Sequence, residues 1–226
     1  MKPSLLKQCV AEFIGTFTLI FIGVGAIYHL GGLENNGGLL GIAFAHGLAI
    51  AVMVSATGAI SGGHLNPAVT FGLLVGGQVG WAKTVAYWLS QCLGGAVAGF
   101  VMVALPLGKG ATTVASGTPD LGAGVGVGPA IAIEAVLTFF LVFVVYGTAV
   151  DPRAPRIGGL AIGLTVALDI LFGGPLTGAA MNPARTFGPA LASGHWNNHW
   201  VYWIGPLLGG GGAGLVYGRF LIKEKS

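Results

Sequence analysis

The sequence predicts an all-α integral membrane protein with six transmembrane helices and two re-entrant half-helices, arranged as an inverted repeat. Two observations support this fold class. Only 8% of the 226 residues are charged while 54% are hydrophobic, whereas soluble domains carry about 25% charged residues. The chain also repeats its own motifs at matching places in its two halves.

Six apolar runs each approach the length that is needed to cross a bilayer. A helix needs about 20 residues to cross a hydrocarbon core of about 30 Å. The alternating segments of about ten residues that build membrane β-barrels are not seen in this sequence. The fifth run is short. The runs lie at roughly 8–30, 39–57, 84–105, 130–150, 157–173 and 200–221.

The positive charges fall mainly on one side of a six-span bundle, although the net charge is only +3. Only Lys109 and Arg185 fall toward the other side. The positive-inside rule then places both termini in the cytoplasm, and we expect a multi-pass protein of the cell (plasma) membrane. This distribution gives no support for nucleic-acid binding. The residues on the cytoplasmic side are Lys2, Lys7, Lys83, Arg153, Arg156, Arg219, Lys223 and Lys225.

Two motifs occur twice and divide the chain into related halves. The pattern E-x-x-x-T-x-x-L begins at Glu12 and again at Glu134, and N-P-A-x-T-F-G begins at Asn66 and again at Asn182. Because three spans per half is an odd number, the halves must insert with opposite orientations. We expect one channel domain, 1–226, made of repeats at about 1–108 and 129–226. The Gly/Thr/Pro-rich linker between them is predicted to lie outside the cell.

Each Asn-Pro-Ala motif is predicted to begin a half-helix at membrane depth. Asn is a favoured helix cap, and proline suits the first helical position. Ten helical residues reach about 15 Å, so two such helices entering from opposite faces would meet at the midplane. Their positive ends would repel cations there, and the Asn amides would donate hydrogen bonds to passing water. The motif residues are Asn66, Pro67, Ala68, Asn182, Pro183 and Ala184.

The irregular backbone ahead of each Asn needs hydrogen-bond partners, because such backbone is tolerated in a membrane only when it is buried in protein or lines a water-filled cavity. Glu12 and Glu134 are interpreted as structural acids that accept hydrogen bonds from these loop amides. A proton relay is the alternative, but no His or metal ligand recurs beside them.

Cys9 and Cys92 are too few for a disulfide framework. No metal, cofactor or enzymatic constellation is predicted.

Taken together, the paired Asn-Pro-Ala boxes, the doubled acidic motif and the six spans resemble the aquaporin (major intrinsic protein) family over nearly the whole chain. The resemblance implies a passive water channel that excludes protons and ions, assembled as a homotetramer with one pore per subunit. It also implies a lining of backbone carbonyls from Gly62, Gly63, His64, Gly178, Ala179 and Ala180.

The family pattern further implies a narrow outer constriction, or selectivity filter, formed by His46, Ile170, Ala179 and Arg185. This set resembles that of plant vacuolar aquaporins. The first repeat carries Val69 where the second carries Arg185, and an arginine in a membrane segment indicates function by default. We assign no role to Asp169, which lies beside Ile170.

Three other functions stay open from the sequence. A broader facilitator of ammonia, urea, hydrogen peroxide or glycerol is possible because Ile170 and Ala179 leave more room than a strict water filter. A secondary transporter would share inverted repeats and broken helices, but it would need a coupling site at the midplane. A membrane adhesion protein with the same fold is the third alternative.

Overall fold

The computed structural model describes residues 3–33, 36–106, 110, 114–115 and 117–222. Eight α-helices lie within these residues, and π-helical segments at Tyr146–Val150 and Gly214–Leu221 continue two of them. The helices are α1 (Leu5–Leu30), α2 (Asn36–Thr57), α3 (Pro67–Val75), α4 (Trp81–Ala104), α5 (Val127–Val145), α6 (Gly158–Thr177), α7 (Pro183–Ser193) and α8 (Val201–Ala213).

Six of these helices are spans, and α3 and α7 are half-helices of 9 and 11 residues. Five helices of the described chain are long and apolar enough to cross a membrane. The sixth span is α8 continued by Gly214–Leu221. We call the end of the bundle where α1 begins the inner end and the opposite end the outer end.

The observed fifth span is longer than the apolar run that predicted it. The fifth run was expected to end near residue 173, but α6 continues through Pro175 to Thr177 and ends at Gly178, whose φ is 80°. Pro175 removes one backbone hydrogen bond from the last turn, and the helix ends two residues later. Lys2, Lys109, Lys223 and Lys225 lie outside the described residues, as does part of the linker between the halves.

Each half-helix packs mainly against the last span of the opposite half. Half-helix α3 contacts α8, and α7 contacts α4. The second of these contacts brings two backbones together, because a Cβ added at Gly188 would lie 2.2 Å from the Gly95 carbonyl carbon. Small residues permit such close helix packing in membranes. The two halves are therefore interlocked around one centre.

The polar residues of the spans face inward and the large apolar ones face outward. Glu12, Glu134, Asn66, Asn182 and Arg185 are all at most 4% exposed. Lipid tails would instead meet a belt of exposed apolar side chains, which includes Leu6, Val52, Leu89, Leu168 and Phe172. This inverted distribution matches a membrane-spanning protein with a polar centre.

Candidate functional site

The two half-helices begin at capped asparagines, as expected from their sequence. The Asn66 side-chain oxygen Oδ1 accepts a hydrogen bond from the Ala68 amide at 2.8 Å. Asn182 Oδ1 accepts from the amides of Ala184 and Arg185 at 3.0 and 3.2 Å. Each cap satisfies amides that no residue inside the helix can reach.

The caps also tie the two halves together through their amide groups. Asn66 Nδ2 donates to the Met181 carbonyl oxygen at 2.8 Å, and Asn182 Nδ2 donates to the Leu65 carbonyl oxygen at 3.0 Å. An amide group has two donor hydrogens, so one on each Asn stays available to the cavity that both residues line. Sequence reasoning missed this exchange, because it depends on the two loops touching.

Ahead of each Asn, the backbone adopts a left-handed conformation at matching positions. Leu65 and Met181 have φ of 52° and 53°, and Gly63 and Ala179 have φ of 63° and 42°. Non-glycine residues rarely adopt positive φ, and such strain concentrates at functional sites. This conformation turns each chain sharply into its half-helix.

The two predicted structural acids hold these loops in the same way. Glu12 accepts hydrogen bonds from the Ser61 hydroxyl and from the amides of His64 and Leu65, at 2.6 to 3.0 Å. Both acids are fully buried, so every such amide would otherwise lack a partner. Glu134 accepts from the equivalent groups of Thr177, Ala180 and Met181, at 2.7 to 2.9 Å.

Three further residues support the loops, a role that was not predicted from the sequence. The Tyr87 hydroxyl donates to the Ser61 carbonyl at 2.7 Å, and the Tyr202 hydroxyl donates to the Thr177 carbonyl at 2.9 Å. Gln91 Nε2 donates to Glu12 at 2.8 Å. The recurring Tyr-Trp pairs at 87–88 and 202–203 are the signal that could have found the tyrosines.

Arg185 and His46 meet toward the outer end of the bundle. Arg185 Nη1 donates to the Gly117 carbonyl at 2.7 Å, and Arg185 Nη2 lies 3.3 Å from His46 Nε2. His46 Nδ1 lies 2.9 Å from the Ile42 carbonyl, which can only accept, so Nδ1 carries the proton and Nε2 receives the arginine. A Cβ at Gly23 would lie 2.3 Å from His46 Nε2, so glycine there makes room for the ring.

A central cavity runs past these groups. Its polar wall includes His46, Asn66, Asn182 and Arg185, and its remaining wall is mostly aliphatic. The four predicted filter residues all line it, and so do Gly63, His64, Ala179 and Ala180. Gly62, Gly63 and His64 also line a vestibule at the inner end, and Gly178 and Arg185 line one at the outer end. The order along the path is therefore inner vestibule, cavity, outer vestibule.

Asp120 links two outer loops beside this path. Its carboxylate lies 2.9 Å from His195 Nε2 and accepts from Asn198 Nδ2 at 2.9 Å. Partial burial of the carboxyl opposes ionisation, but hydrogen bonds from Asn198, the Leu121 amide and His195 outweigh it and lower the pKa of Asp120. The sequence analysis gave no role to these residues.

Asp169 does not line the cavity, although Val166 and Ile170 of the same helix do. It borders a groove between α5 and α6 whose other residues are apolar apart from Thr165, and its Oδ2 has no hydrogen-bond partner among the described residues. Cys9 and Cys92 are half-buried and unbridged. Within the part of the chain that the structure describes, no cluster of His, Cys, Asp and Glu could hold a metal ion.

Comparison with known proteins decides the family. The family model described as "Major intrinsic protein" matches residues 1–217. The chain belongs to the major intrinsic protein family. A protein named "Probable aquaporin TIP-type" from Medicago truncatula is 48% identical over 98% of this chain and 90% of its own length. "Aquaporin TIP2-1" from Zea mays shows the same identity and coverage, and "Aquaporin TIP2-1" from Arabidopsis thaliana is 46% identical over 95% of this chain and 87% of its own length.

The fold has a counterpart among solved structures. The aquaglyceroporin from Plasmodium falciparum superposes with a TM-score of 0.84, covering 96% of this chain and 97% of its own, at 24% identity. The predicted all-α aquaporin fold is therefore confirmed. This major intrinsic protein is a multi-pass integral membrane channel, and its family membership confirms the expectation that it is not an enzyme.

Proposed function

We propose that this major intrinsic protein conducts water passively through the central cavity and excludes protons and ions. The observation that carries the proposal is the meeting of two capped half-helix N-termini at one cavity, with Asn66 and Asn182 both on its wall. Each N-terminus carries about half a positive charge, so the pair repels cations from the narrow path. The TIP-type aquaporins at 46 to 48% identity support the same function.

Proton exclusion follows from the donor groups at the same place. The free amide hydrogens of Asn66 and Asn182 donate to a water molecule between them, so that water turns its own hydrogens away from the centre. The chain of water molecules then reverses its hydrogen-bond direction at the asparagines, and protons cannot hop through it. Val69, Leu141, Val145 and Val166 line the cavity without offering an alternative acceptor from their side chains.

Solute choice is proposed to occur at His46, Ile170, Ala179 and Arg185. Arg185 keeps a fixed positive charge against the wall, since Gly117 and His46 hold its guanidinium. Ile170 contributes no polar side-chain group, so one side of the neck is apolar. Selectivity at such a neck depends on its width and on the polar groups that replace the hydration shell. A half-apolar neck admits water and also ammonia, while glycerol passes poorly.

Stopped-flow light scattering on proteoliposomes tests both parts of this proposal. Vesicles with and without the protein are challenged with sucrose, glycerol, urea and ammonia gradients. We expect fast water flux, ammonia flux above the lipid background and glycerol flux close to it. Water flux equal to that of empty vesicles would overturn the proposal. Glycerol or urea flux as fast as ammonia flux would favour the broader neutral-solute facilitator instead.

We also propose a homotetramer with one pore per subunit, in the cell (plasma) membrane and with both termini cytoplasmic. The basic residues Lys7, Lys83, Arg153, Arg156 and Arg219 at the inner end support the orientation. Mass measurement in detergent by light scattering tests the tetramer, and a monomer mass would contradict it. The location of a fluorescent fusion in cells tests the proposed plasma membrane. The competing outcome is an internal membrane, since the filter resembles that of plant vacuolar aquaporins.

A further inference from the structure

The carbonyl that holds Arg185 belongs to the segment between the two halves, outside every helix. Gly117 accepts the arginine Nη1 hydrogen bond at 2.7 Å, and the segment from Gly117 to Gly122 lines the outer vestibule. Segments of this kind are usually mobile. The position of the guanidinium therefore depends on what fixes this segment.

Asp120, three residues after Gly117, connects the segment to the chain that follows half-helix α7. Its two carboxylate oxygens contact His195 Nε2 and Asn198 Nδ2, each at 2.9 Å. His195 lies two residues after the end of α7, where its amide donates to Ser193 Oγ at 3.2 Å. Asn198 holds a left-handed backbone with φ of 50°, a conformation that asparagine tolerates better than most residues.

These contacts close a ring that contains the filter arginine. From Arg185 the ring follows α7 to His195, crosses a hydrogen bond to Asp120, follows the chain back to Gly117, and returns to Arg185 through the 2.7 Å bond. Half-helix α7 is thus linked to the segment that contains Gly117 at two points. One is the hydrogen bond from Arg185 to Gly117, and the other is the contact of His195 with Asp120. The first half has no such arginine, because Val69 stands there.

We propose that Asp120 is a positioning residue for the selectivity filter, acting through His195 and Asn198 to keep the Gly117 carbonyl against Arg185. This inference rests on the proposed function, since it takes Arg185 to line the narrowest part of the water path. When the link is cut, the guanidinium loses its fixed acceptor and leaves the wall for part of the time. The neck then admits wider neutral solutes, while water passes as before.

The test measures the ratio of urea to water permeability in proteoliposomes for Asp120→Ala. We expect the ratio to rise about fivefold, the factor that corresponds to one lost hydrogen bond of about 1 kcal/mol. Asp120→Asn keeps an oxygen that accepts from Asn198 and the Leu121 amide, so it should keep a ratio close to that of the unmodified protein. Asp120→Ala combined with His195→Ala should raise the ratio no further than Asp120→Ala alone.

The matched control is Asp151→Ala at the inner end. Like Asp120, Asp151 contacts a basic side chain: its carboxylate lies 2.8 Å from Arg153 Nη2. It lies at the opposite end of the bundle from the filter. This variant should leave the ratio unchanged. If Asp120→Ala does not fold, His195→Ala and its conservative partner His195→Gln carry the same test from the other side of the link, with only the alanine variant raising the ratio.

Arg185→Val distinguishes the failure of this inference from the failure of the proposed function. If Arg185→Val raises the urea ratio while Asp120→Ala and His195→Ala leave it unchanged, Asp120 has no positioning role. If the unmodified protein conducts no water, the proposed function itself is wrong. Hydrogen exchange of the segment at 117–122, measured by mass spectrometry, should rise in Asp120→Ala and stay unchanged in Asp151→Ala.

Discussion

The loop ahead of Asn66 and the loop ahead of Asn182 share a backbone conformation but differ in what surrounds it. Both have a left-handed residue directly before the Asn, at 52° and 53°, and both are held by a fully buried glutamate. The residue three after the Asn is Val69 in one loop and Arg185 in the other. Only the second is followed, beyond its half-helix, by residues that reach the Asp120 carboxylate.

The two loops also differ in how many hydrogen bonds their glutamates accept. Gln91 donates to Glu12 at 2.8 Å, whereas the same place after the second Tyr-Trp pair is Pro206, which has no side-chain donor. Glu12 therefore accepts hydrogen bonds from four groups and Glu134 from three. The comparison teaches that the half-helix caps and the loops are duplicated, while the filter arginine and the contacts of its half-helix with Asp120 occur in the second half alone.

The largest effect is expected from removing the acids that hold the loops. Glu12→Ala and Glu134→Ala leave buried donors without partners, at about 1 to 3 kcal/mol for each. We expect both variants to lose most of the folded protein, with Glu12→Ala the worse because it leaves one more donor unpaired. Fluorescence-detected size exclusion and thermal unfolding in detergent measure this.

Glutamine at either position is the control for the acids, because it keeps an acceptor oxygen and the side-chain volume. Glu12→Gln and Glu134→Gln should therefore fold better than the alanine variants. A stability of Glu134→Ala below that of Glu12→Ala would contradict the assigned role of Gln91.

The next prediction exchanges the residue that follows Asn-Pro-Ala between the two halves, which is Val69 in the first and Arg185 in the second. Arg185→Val removes the guanidinium from the neck, and we expect urea permeability relative to water to rise about tenfold, as for a barrier lowered by about 1.4 kcal/mol. The converse change, Val69→Arg, places a second cation on the cavity wall, where Val69 is 4% exposed. Water flux should then fall to the lipid background.

Val69→Leu serves as the neutral control for the second of these changes. It adds volume at the same place without charge, so it should keep most of the water flux. Stopped-flow scattering measures all three variants, and normal water flux in a folded Val69→Arg protein would mean that Val69 does not face the path.

The repeated motifs predict most of the fold and the centre of the site from sequence alone. Glu12, Glu134 and the Asn-Pro-Ala boxes recur at fixed offsets, and each residue type has one physical task at membrane depth, so the half-helices could be placed without coordinates. Gly117 and Asp120 could not be found in this way. They occur once, in a segment without periodicity, and their importance comes only from the chain returning to Arg185.

The third prediction changes the charge at the half-helix caps. Aspartate still caps a helix, but Asn66→Asp and Asn182→Asp put a carboxylate against N-termini that carry about half a positive charge each. The cation barrier is then partly cancelled, so we expect a measurable cation current in oocytes expressing the double variant.

Serine in place of the same asparagines separates charge from the loss of the amide. Asn66→Ser and Asn182→Ser keep a capping oxygen but remove the donor to the opposite loop, so they should show no current. A well-folded double aspartate variant without current would assign ion exclusion to Arg185 alone.

The fourth prediction concerns the two filter residues, His46 and Ile170, that lie outside the repeated motifs. His46→Phe together with Ile170→His moves the ring nitrogen to the other wall of the neck and replaces the present half-apolar pattern. We expect ammonia permeability to fall about fivefold, as when one hydrogen bond in the barrier changes, while water flux stays. Ile170→His alone is the control. Ammonia flux at the lipid background before mutation would contradict the half-apolar filter.

The smallest effect is expected where the two loops differ by a single methyl group. Gly63 and Ala179 occupy matching places with φ of 63° and 42°, and an L-residue with a Cβ costs about 1 to 2 kcal/mol in the left-handed region. Ala179→Gly should therefore raise the stability by about 0.5 to 1 kcal/mol, because the added flexibility of the unfolded chain offsets part of the gain.

Leu65→Gly is the matched control for Ala179→Gly. It relieves the same kind of backbone strain, at φ of 52°, but it removes a side chain that is fully buried, which costs about 2 to 5 kcal/mol. Thermal unfolding should thus move in opposite directions for the two variants. A lower melting temperature for Ala179→Gly would show that the Ala179 methyl group stabilises the loop by packing, since Ala179 is itself only 1% exposed.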